Sequence, residues 1–364
     1  MSLNPLTAPA PEDYQVQLQA KVQRTSLQFK TMYQADIDIF PSPPTAYRMR
    51  AEFRVWQDGD QCYYAMFDSV TKSPLRVDHF PAGSARIQAL MPALLQHIHL
   101  NTELRNRLYQ VEFLTTLNGE ALVTLIYHRQ LDEAWMNCAQ KLEQELNCGV
   151  IGRYRRHRVI VSSEIIHESL CADGIRYHYL QTDNCFTQPN ARICEDMIGW
   201  VMRNCPSSEY DLLELYCGGG NFTVPLATKF RKVLATEVVK HAIEIARQNF
   251  AINNVGNTEI VRLSSSEIAQ ALKGTRQFRR LQHLDLDSYK FDAIFLDPPR
   301  SGLDSGTLHL AKTFDNMVYI SCNPETMFRD LSTLLETHII TRFALFDQFP
   351  YTAHRECGAI LRRK

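Results

Sequence analysis

The stretch Asp211-Leu212-Leu213-Glu214-Leu215-Tyr216-Cys217-Gly218-Gly219-Gly220-Asn221-Phe222 decides how the rest of the chain is read. An apolar strand runs into three consecutive glycines and then into the start of a helix. Glycines at such a turn let the backbone reverse tightly and come close to a ligand. Glu237 follows 19 residues after Gly218, at the end of the next apolar run. A carboxylate at that offset can accept hydrogen bonds from ribose hydroxyls. Strand, glycine turn and spaced acid together point to nucleoside binding.

Working outward, the chain beyond about residue 176 alternates strand with helix. Apolar strands are expected at Leu212 to Tyr216, Val233 to Thr236, Ile260 to Leu263, Phe291 to Leu296 and Met317 to Ile320, with helices at His241 to Asn253 and Thr326 to Thr337. That rhythm specifies a parallel sheet covered on both faces, an α/β fold of the Rossmann-like type. Two further strands, Ile339 to Phe346 and Cys357 to Leu361, follow without a clear helix between them. An antiparallel hairpin closing one edge of the sheet is the expectation.

Before residue 175 the pattern differs. Residues 1 to 30 read as a polar leader with some helical pattern. Strand-like runs then occupy Arg48 to Trp56, Cys62 to Asp68, Val111 to Thr116, Ala121 to Tyr127 and Val159 to Ser162, interrupted by helical patterns at Ser84 to Ile98 and Leu131 to Leu146. This describes an α+β domain with antiparallel hairpins. The organisation expected is therefore an N-terminal α+β domain over 1–175 and an α/β domain over 176–364.

At 364 residues, 45% hydrophobic and 22% charged, the chain has the composition of a globular protein of about two domains. No apolar run approaches the ~20 residues of a membrane span, and the first 20 residues lack the layout of a secretory signal, so a cytoplasmic location is expected. Its ten cysteines form no C-x-x-C pair, which argues against a zinc or iron–sulfur framework. His354-Arg355-Glu356 resembles the H-x-E of zinc deaminases, but the accompanying P-C-x-x-C is absent, and no metal is expected. The net charge of −1 gives no global signal for nucleic acid. Three local clusters mix arginine with aromatics: Arg48, Arg50 and Arg54 with Tyr47 and Phe53; Arg153, Arg155, Arg156 and Arg158 with Tyr154; and Arg276, Arg279 and Arg280 with Phe278. Unpaired bases stack on such side chains.

The glycine turn reads G-G-G-N-F rather than G-x-G-x-x-G, so the helix start that cradles a pyrophosphate is poorly formed. S-adenosylmethionine suits it better than NAD. Asp297-Pro298-Pro299-Arg300 ends the strand Phe291 to Leu296, at the carboxyl end where open α/β sheets bind ligands. Asp297 can there contact the cofactor or a target base. Ile320-Ser321-Cys322-Asn323-Pro324-Glu325 places a cysteine at the end of another such strand, with Pro324 suited to the first turn of a helix. A helix N-terminus lowers a thiol pKa and favours the thiolate. Such a nucleophile answers a specific chemical need. Carbon 5 of uracil is a poor nucleophile until a thiolate adds to carbon 6 and converts the ring to an enolate. A base must then remove the carbon 5 proton so that the thiol can leave. Glu356 is the first candidate for that base and His354 the second.

Phe186-Thr187-Gln188-Pro189-Asn190, Leu213 to Phe222, Leu296 to Leu303, Tyr319 to Glu325 and Gln348 to Gly358, in this order, resemble the RNA uridine C5-methyltransferase family over nearly the whole chain. The resemblance implies a class I S-adenosylmethionine-dependent methyltransferase domain, with the N-terminal part helping to hold RNA. It implies that Gln188, Tyr216, Asn221, Glu237 and Asp297 line the S-adenosylmethionine site, with Cys322 as nucleophile and Glu356 as proton acceptor. The implied target is the T-loop uridine at position 54 of tRNA, held through the T arm, with the tRNA-like part of tmRNA as a second substrate. The ribosomal RNA branch usually carries an N-terminal cysteine set for an iron–sulfur cluster, which this sequence lacks. No obligate protein partner is evident. Two other readings stay open: an amino-group methyltransferase using the D-P-P motif without a thiolate, and an RNA-folding chaperone acting through the N-terminal domain.

Overall fold

The computed structural model describes residues 10–59, 61–67 and 73–364. Residues 1–9 of the expected leader and Asp68 of the expected second strand lie outside them. The chain forms two compact units that interleave along the sequence: Met1–Tyr14, Pro43–Ser169 and Leu180–Ala191 in one, and Gln15–Ser42, Leu170–Tyr179 and Arg192–Lys364 in the other. A single cut near residue 175 does not describe this division, because residues 15–42 pack with the second unit.

In the first unit seven strands form one sheet, in the spatial order Pro74–Val77, Gln61–Phe67, Arg50–Asp58, Leu108–Thr115, Ala121–Tyr127, Gly149–Tyr154, His157–Ile160. All neighbours are antiparallel except Ala121–Tyr127 with Gly149–Tyr154, which are joined through helix Glu133–Leu146. Arg50–Asp58 alternates between core and surface, sending Ala51, Phe53 and Val55 inward. Phe53 packs with Tyr64, Phe80 and Phe113, ring centroids 5.1 to 6.1 Å apart.

The second unit is built on eight strands: Asp38–Phe40, His338–Phe346, Glu356–Arg363, Asn316–Ser321, Phe291–Leu296, Ser208–Leu215, Phe230–Glu237, Thr258–Arg262, in spatial order. Only Glu356–Arg363 runs antiparallel to its neighbours. Residues 293–296 and 317–321 are buried without alternation, as strands covered on both faces must be. From Ser208–Leu215 the chain winds outward over the next two strands, then returns to pair Phe291–Leu296 on the other side of its starting strand. That reversal opens a crevice at the carboxyl ends of these two strands.

The expected terminal hairpin forms, but it does not close the edge. Glu356–Arg363 inserts between Asn316–Ser321 and His338–Phe346, and Asp38–Phe40 adds outside the latter in parallel. Phe40 stacks on Phe346 at 4.8 Å, and Trp200 Nε1 donates to Asp38 at 2.8 Å. The leader also contributes helix Tyr14–Phe29, whose Phe29 is 1% exposed in the second unit's core. Lys21 of this helix donates to Asp347 at 2.6 Å and to the Phe349 carbonyl at 2.7 Å.

Candidate active site

Six sequence-selected residues meet at the carboxyl edge of the second unit's sheet. The glycine turn leaves Ser208–Leu215 with Tyr216, Gly218 and Gly220 all at positive φ (62°, 55° and 83°). A Cβ on Gly220 would stand 2.8 Å from the Phe250 ring, whereas one on Gly218 would meet nothing within 4 Å. Gly220 is therefore required by packing, and Gly218 borders open space. Glu237, at the end of the adjacent strand, accepts from Gly218 N at 3.0 Å and from Val238 N and Val239 N at 2.7 and 2.8 Å. Its carboxylate holds the turn and retains acceptor capacity, since two carboxylate oxygens offer about four sites. Asn221 is tied down from both ends: its carbonyl accepts from the Tyr179 hydroxyl at 2.8 Å and its amide meets Cys194 Sγ at 3.4 Å. The Tyr216 hydroxyl is engaged by Ser265 and Thr307, and burial raises its pKa.

Asp297 and Cys322 leave neighbouring parallel strands, Phe291–Leu296 and Asn316–Ser321. Glu356 enters the same edge from the opposite direction, in a strand that pairs Ser321 with Cys357. The loops are locked together. Asn323 caps helix Pro324–Leu334, its side chain accepting from Glu325 N at 3.2 Å and donating to the Arg300 carbonyl at 2.9 Å. Buried Asp330 of that helix accepts from Leu303 N at 2.8 Å and from the Tyr319 hydroxyl at 2.7 Å. Gly302 has φ 73°, and a Cβ there would lie 2.6 Å from the Asp330 carboxylate.

The electrostatics are unusual for a surface cleft. Burial pushes Asp297 up to about 7. Burial, then the nearby Asp297, raise Glu356 well above the ordinary carboxyl range, against the pull of Arg300. Cys322 is pushed up to about 11 by burial and by Glu356 and Asp297, with Arg300 acting to lower it. Desolvation, with Glu356 and Asp297 beside it, raises the thiol, and Arg300 is the cation that opposes them. His354 is exposed and faces Arg300, Nδ1 to Nη2 2.8 Å. Partial desolvation of the ring on its protein side, and then Arg300, hold its pKa low.

Sequence reasoning missed three things here. Glu214, 1% exposed, adds a third carboxyl beside Asp297 and is pushed up to about 8 by its burial. Its signal was an acid inside the apolar run Asp211 to Leu215. Arg300, the last residue of the Asp297-Pro298-Pro299-Arg300 turn, is the cation nearest Cys322 and Glu356 in effect, a role its place in the motif does not signal. In the first unit, Arg54 lies 3.7 Å above the Tyr109 ring, which stacks on His128 at 4.1 Å. Tyr109, in strand Leu108–Thr115, and His128, just past the end of strand Ala121–Tyr127, are 19 residues apart, so no local pattern joins them. Of the other members of that arginine cluster, Tyr47 and Phe53 are core residues, and Arg50 is bound to the Cys185 and Asp183 carbonyls. Gln188 belongs to the first unit, on segment 180–191. Among the described residues no group of His, Cys, Asp and Glu is arranged to hold a metal, and no helix is long and apolar enough to cross a membrane.

A Rossmann-like sheet with its reversal beside a glycine turn, and an acid ending the second strand, defines the fold of S-adenosylmethionine-dependent methyltransferases. Comparison with known proteins narrows this. The chain belongs to the tRNA (uracil-5-)-methyltransferase family, whose model matches residues 13–364. It is 48% identical to the tRNA/tmRNA (uracil-C(5))-methyltransferase of Cellvibrio japonicus, over 96% of each chain. It is 47% identical to the protein of that name from Teredinibacter turnerae, over 100% of each. Among solved structures it is similar in fold to Pyrococcus abyssi tRNA (uracil-54, C5)-methyltransferase in complex with S-adenosyl-L-homocysteine, with TM-score 0.71 and 21% identity over 96% of this chain and 83% of that one.

Proposed function

We propose that this protein methylates carbon 5 of the T-loop uridine at position 54 of tRNA, and the equivalent uridine of tmRNA, through a covalent bond between Cys322 and carbon 6. The observation that carries this reading is the meeting of Cys322, Glu356 and Asp297 on one sheet edge next to the glycine turn. Family membership supplies the RNA and the uracil carbon.

Tyr216, Asn221, Glu237 and Asp297 would hold S-adenosylmethionine. The open space at Gly218 and the remaining acceptor capacity of Glu237 fit a ribose and its base. When bound, S-adenosylmethionine supplies an electrophilic methyl group at a sulfonium. The protein's own residues do the rest. Cys322 gives up its proton to solvent water, and the thiolate adds to carbon 6, moving the ring electrons to carbon 5 and the carbon 4 oxygen. Arg300 favours that ionisation. After methylation Glu356, as carboxylate, takes the carbon 5 proton, and the electrons of that bond expel the Cys322 thiolate. Its raised pKa makes the Glu356 carboxylate, once ionised, a stronger base than an ordinary carboxylate. His354 is less suited, since its ring is already paired with a guanidinium. The target base must be turned out of its loop, because carbon 6 is hidden inside a stack. The N-terminal unit would hold the RNA, and its Arg54, Tyr109 and His128 stack offers a cation and rings for that contact.

A tRNA transcript carrying 5-fluorouridine at position 54 tests the assignment. The fluorine cannot leave as a cation, so the methylated adduct should be trapped on Cys322 and on no other residue. A Cys322→Ala variant should retain S-adenosylmethionine binding and form no adduct. Turnover by that variant, or transfer to a transcript with cytidine at that position, would overturn the reading.

A further inference from the structure

Tyr154-Arg155-Arg156-His157 turns strand Gly149–Tyr154 into His157–Ile160 at the margin of the first unit's sheet. The structure sorts the four arginines of this stretch into two kinds. Arg158 binds Glu164 at 2.6 Å and Asp183 at 2.5 Å, and Arg153 lies 3.5 Å from Glu112 and 3.9 Å from Asp183. These two anchor the hairpin to its own unit. Arg155 and Arg156 are exposed, and neither has a hydrogen-bond or ion-pair partner among the described residues. Tyr154 and His157 are directly opposed in the ladder, and their rings stack at 4.9 Å and 20°. Arg155 holds φ 51° at the first position of the two-residue turn, where glycine is the unstrained choice. Nothing in the fold calls for arginine there.

Unpaired guanidiniums present a donor fork that matches phosphate oxygens, and a ring pair beside them offers a face to an unstacked base. We infer that this hairpin tip is a second RNA-contacting element, with Arg155 and Arg156 on backbone phosphates of the tRNA and the Tyr154–His157 pair against a base. It shares no residue with the Arg54, Tyr109 and His128 stack. An acidic protein surface could use the arginines but would leave the ring pair without a purpose. The inference rests on the tRNA-methylating reading above.

Equilibrium binding of the full-length protein to an unmodified tRNA transcript, measured across a salt series, tests it. The Arg155→Gly/Arg156→Ser double variant should bind about tenfold more weakly near 0.1 M salt, with a log K against log salt slope shallower by about 2. Arg155→Gly alone should make the slope shallower by about 1 while keeping or raising the thermal midpoint, because glycine suits that φ. Tyr154→Ala should weaken binding and leave the slope unchanged. The turnover number at saturating tRNA should match wild type in all three. A double variant with wild-type affinity and slope would overturn the inference. If the wild-type protein itself neither binds nor methylates tRNA, the functional reading fails instead, and the same series separates the two outcomes.

Discussion

Ser321 stands directly opposite Cys357 in an antiparallel ladder. The residue after the first is Cys322 and the residue before the second is Glu356, so both emerge side by side at the same sheet edge. Two residues 34 positions apart in sequence are thereby held by one register. A single-residue slip would turn Glu356 to the other face of the sheet.

Arg300 is the cation that acts on this pair, and its removal should be visible in the pH profile. Cys322, at about 11, is a thiol at neutral pH, so kcat/KM of the wild-type protein should rise between pH 7 and 9. Arg300→Gln raises the thiol further, and kcat/KM at pH 7 should fall about tenfold or more, as one pKa unit corresponds to a factor of ten in thiolate. A flat profile in either protein would remove the proton on Cys322 from the rate.

Glu214 couples the site to stability. Its folded pKa is raised to about 8, against an ordinary value of 4.5. The folded protein therefore binds the extra proton, and the contribution is fully present below pH 4.5 and lost as pH rises through 8. Glu214→Gln cannot ionise. Its thermal midpoint should exceed that of wild type at pH 8.5, with the advantage gone at pH 5. An equal difference at both pH values would mean that Glu214 acts through packing alone.

The glycines of the turn should separate. Gly220→Ala forces a Cβ against Phe250 at positive φ and should destabilise by about 2 kcal/mol or more. Gly218→Ala meets only the φ penalty of about 1–2 kcal/mol, but its methyl projects into the open space. Chemical denaturation together with S-adenosylmethionine titration should show the greater stability loss at Gly220. The greater ligand loss per unit of stability should fall at Gly218.

Lys21→Met leaves Asp347, wholly buried, without its cation and should cost about 3–5 kcal/mol in urea unfolding. Lys21 carries a lowered pKa because burial outweighs its partner's attraction. Adding Asp347→Leu should recover part of the loss. A double variant as unstable as the single would show that Lys21 matters chiefly through the Phe349 carbonyl.

Much of the second unit could be read from sequence because its signals are local. Apolar runs of five or six residues followed by Gly218, Asp297 and Cys322 mark strands and the loops at their carboxyl ends, and strand Phe291–Leu296 falls where the apolar run placed it. The first unit's alternating strands were likewise legible, with Ala121–Tyr127 matched end to end. The arginine clusters were less so. Composition marks an arginine, but only the fold decides whether it is anchored like Arg158 or exposed and unpaired like Arg155.

The sequence by itself therefore determined the class of fold and the sheet edge at which Cys322 stands, since strand periodicity and turn residues are written in neighbouring positions. The tertiary structure decided which charges face one another. Lys21 and Asp347 meet across 326 positions, and helix Tyr14–Phe29 joins the unit that the chain completes at its far end. The raised thiol of Cys322 arises in the same way, from burial and from Glu356 and Asp297 brought beside it. Desolvation and Coulomb forces act through space and depend on distances that no local pattern encodes.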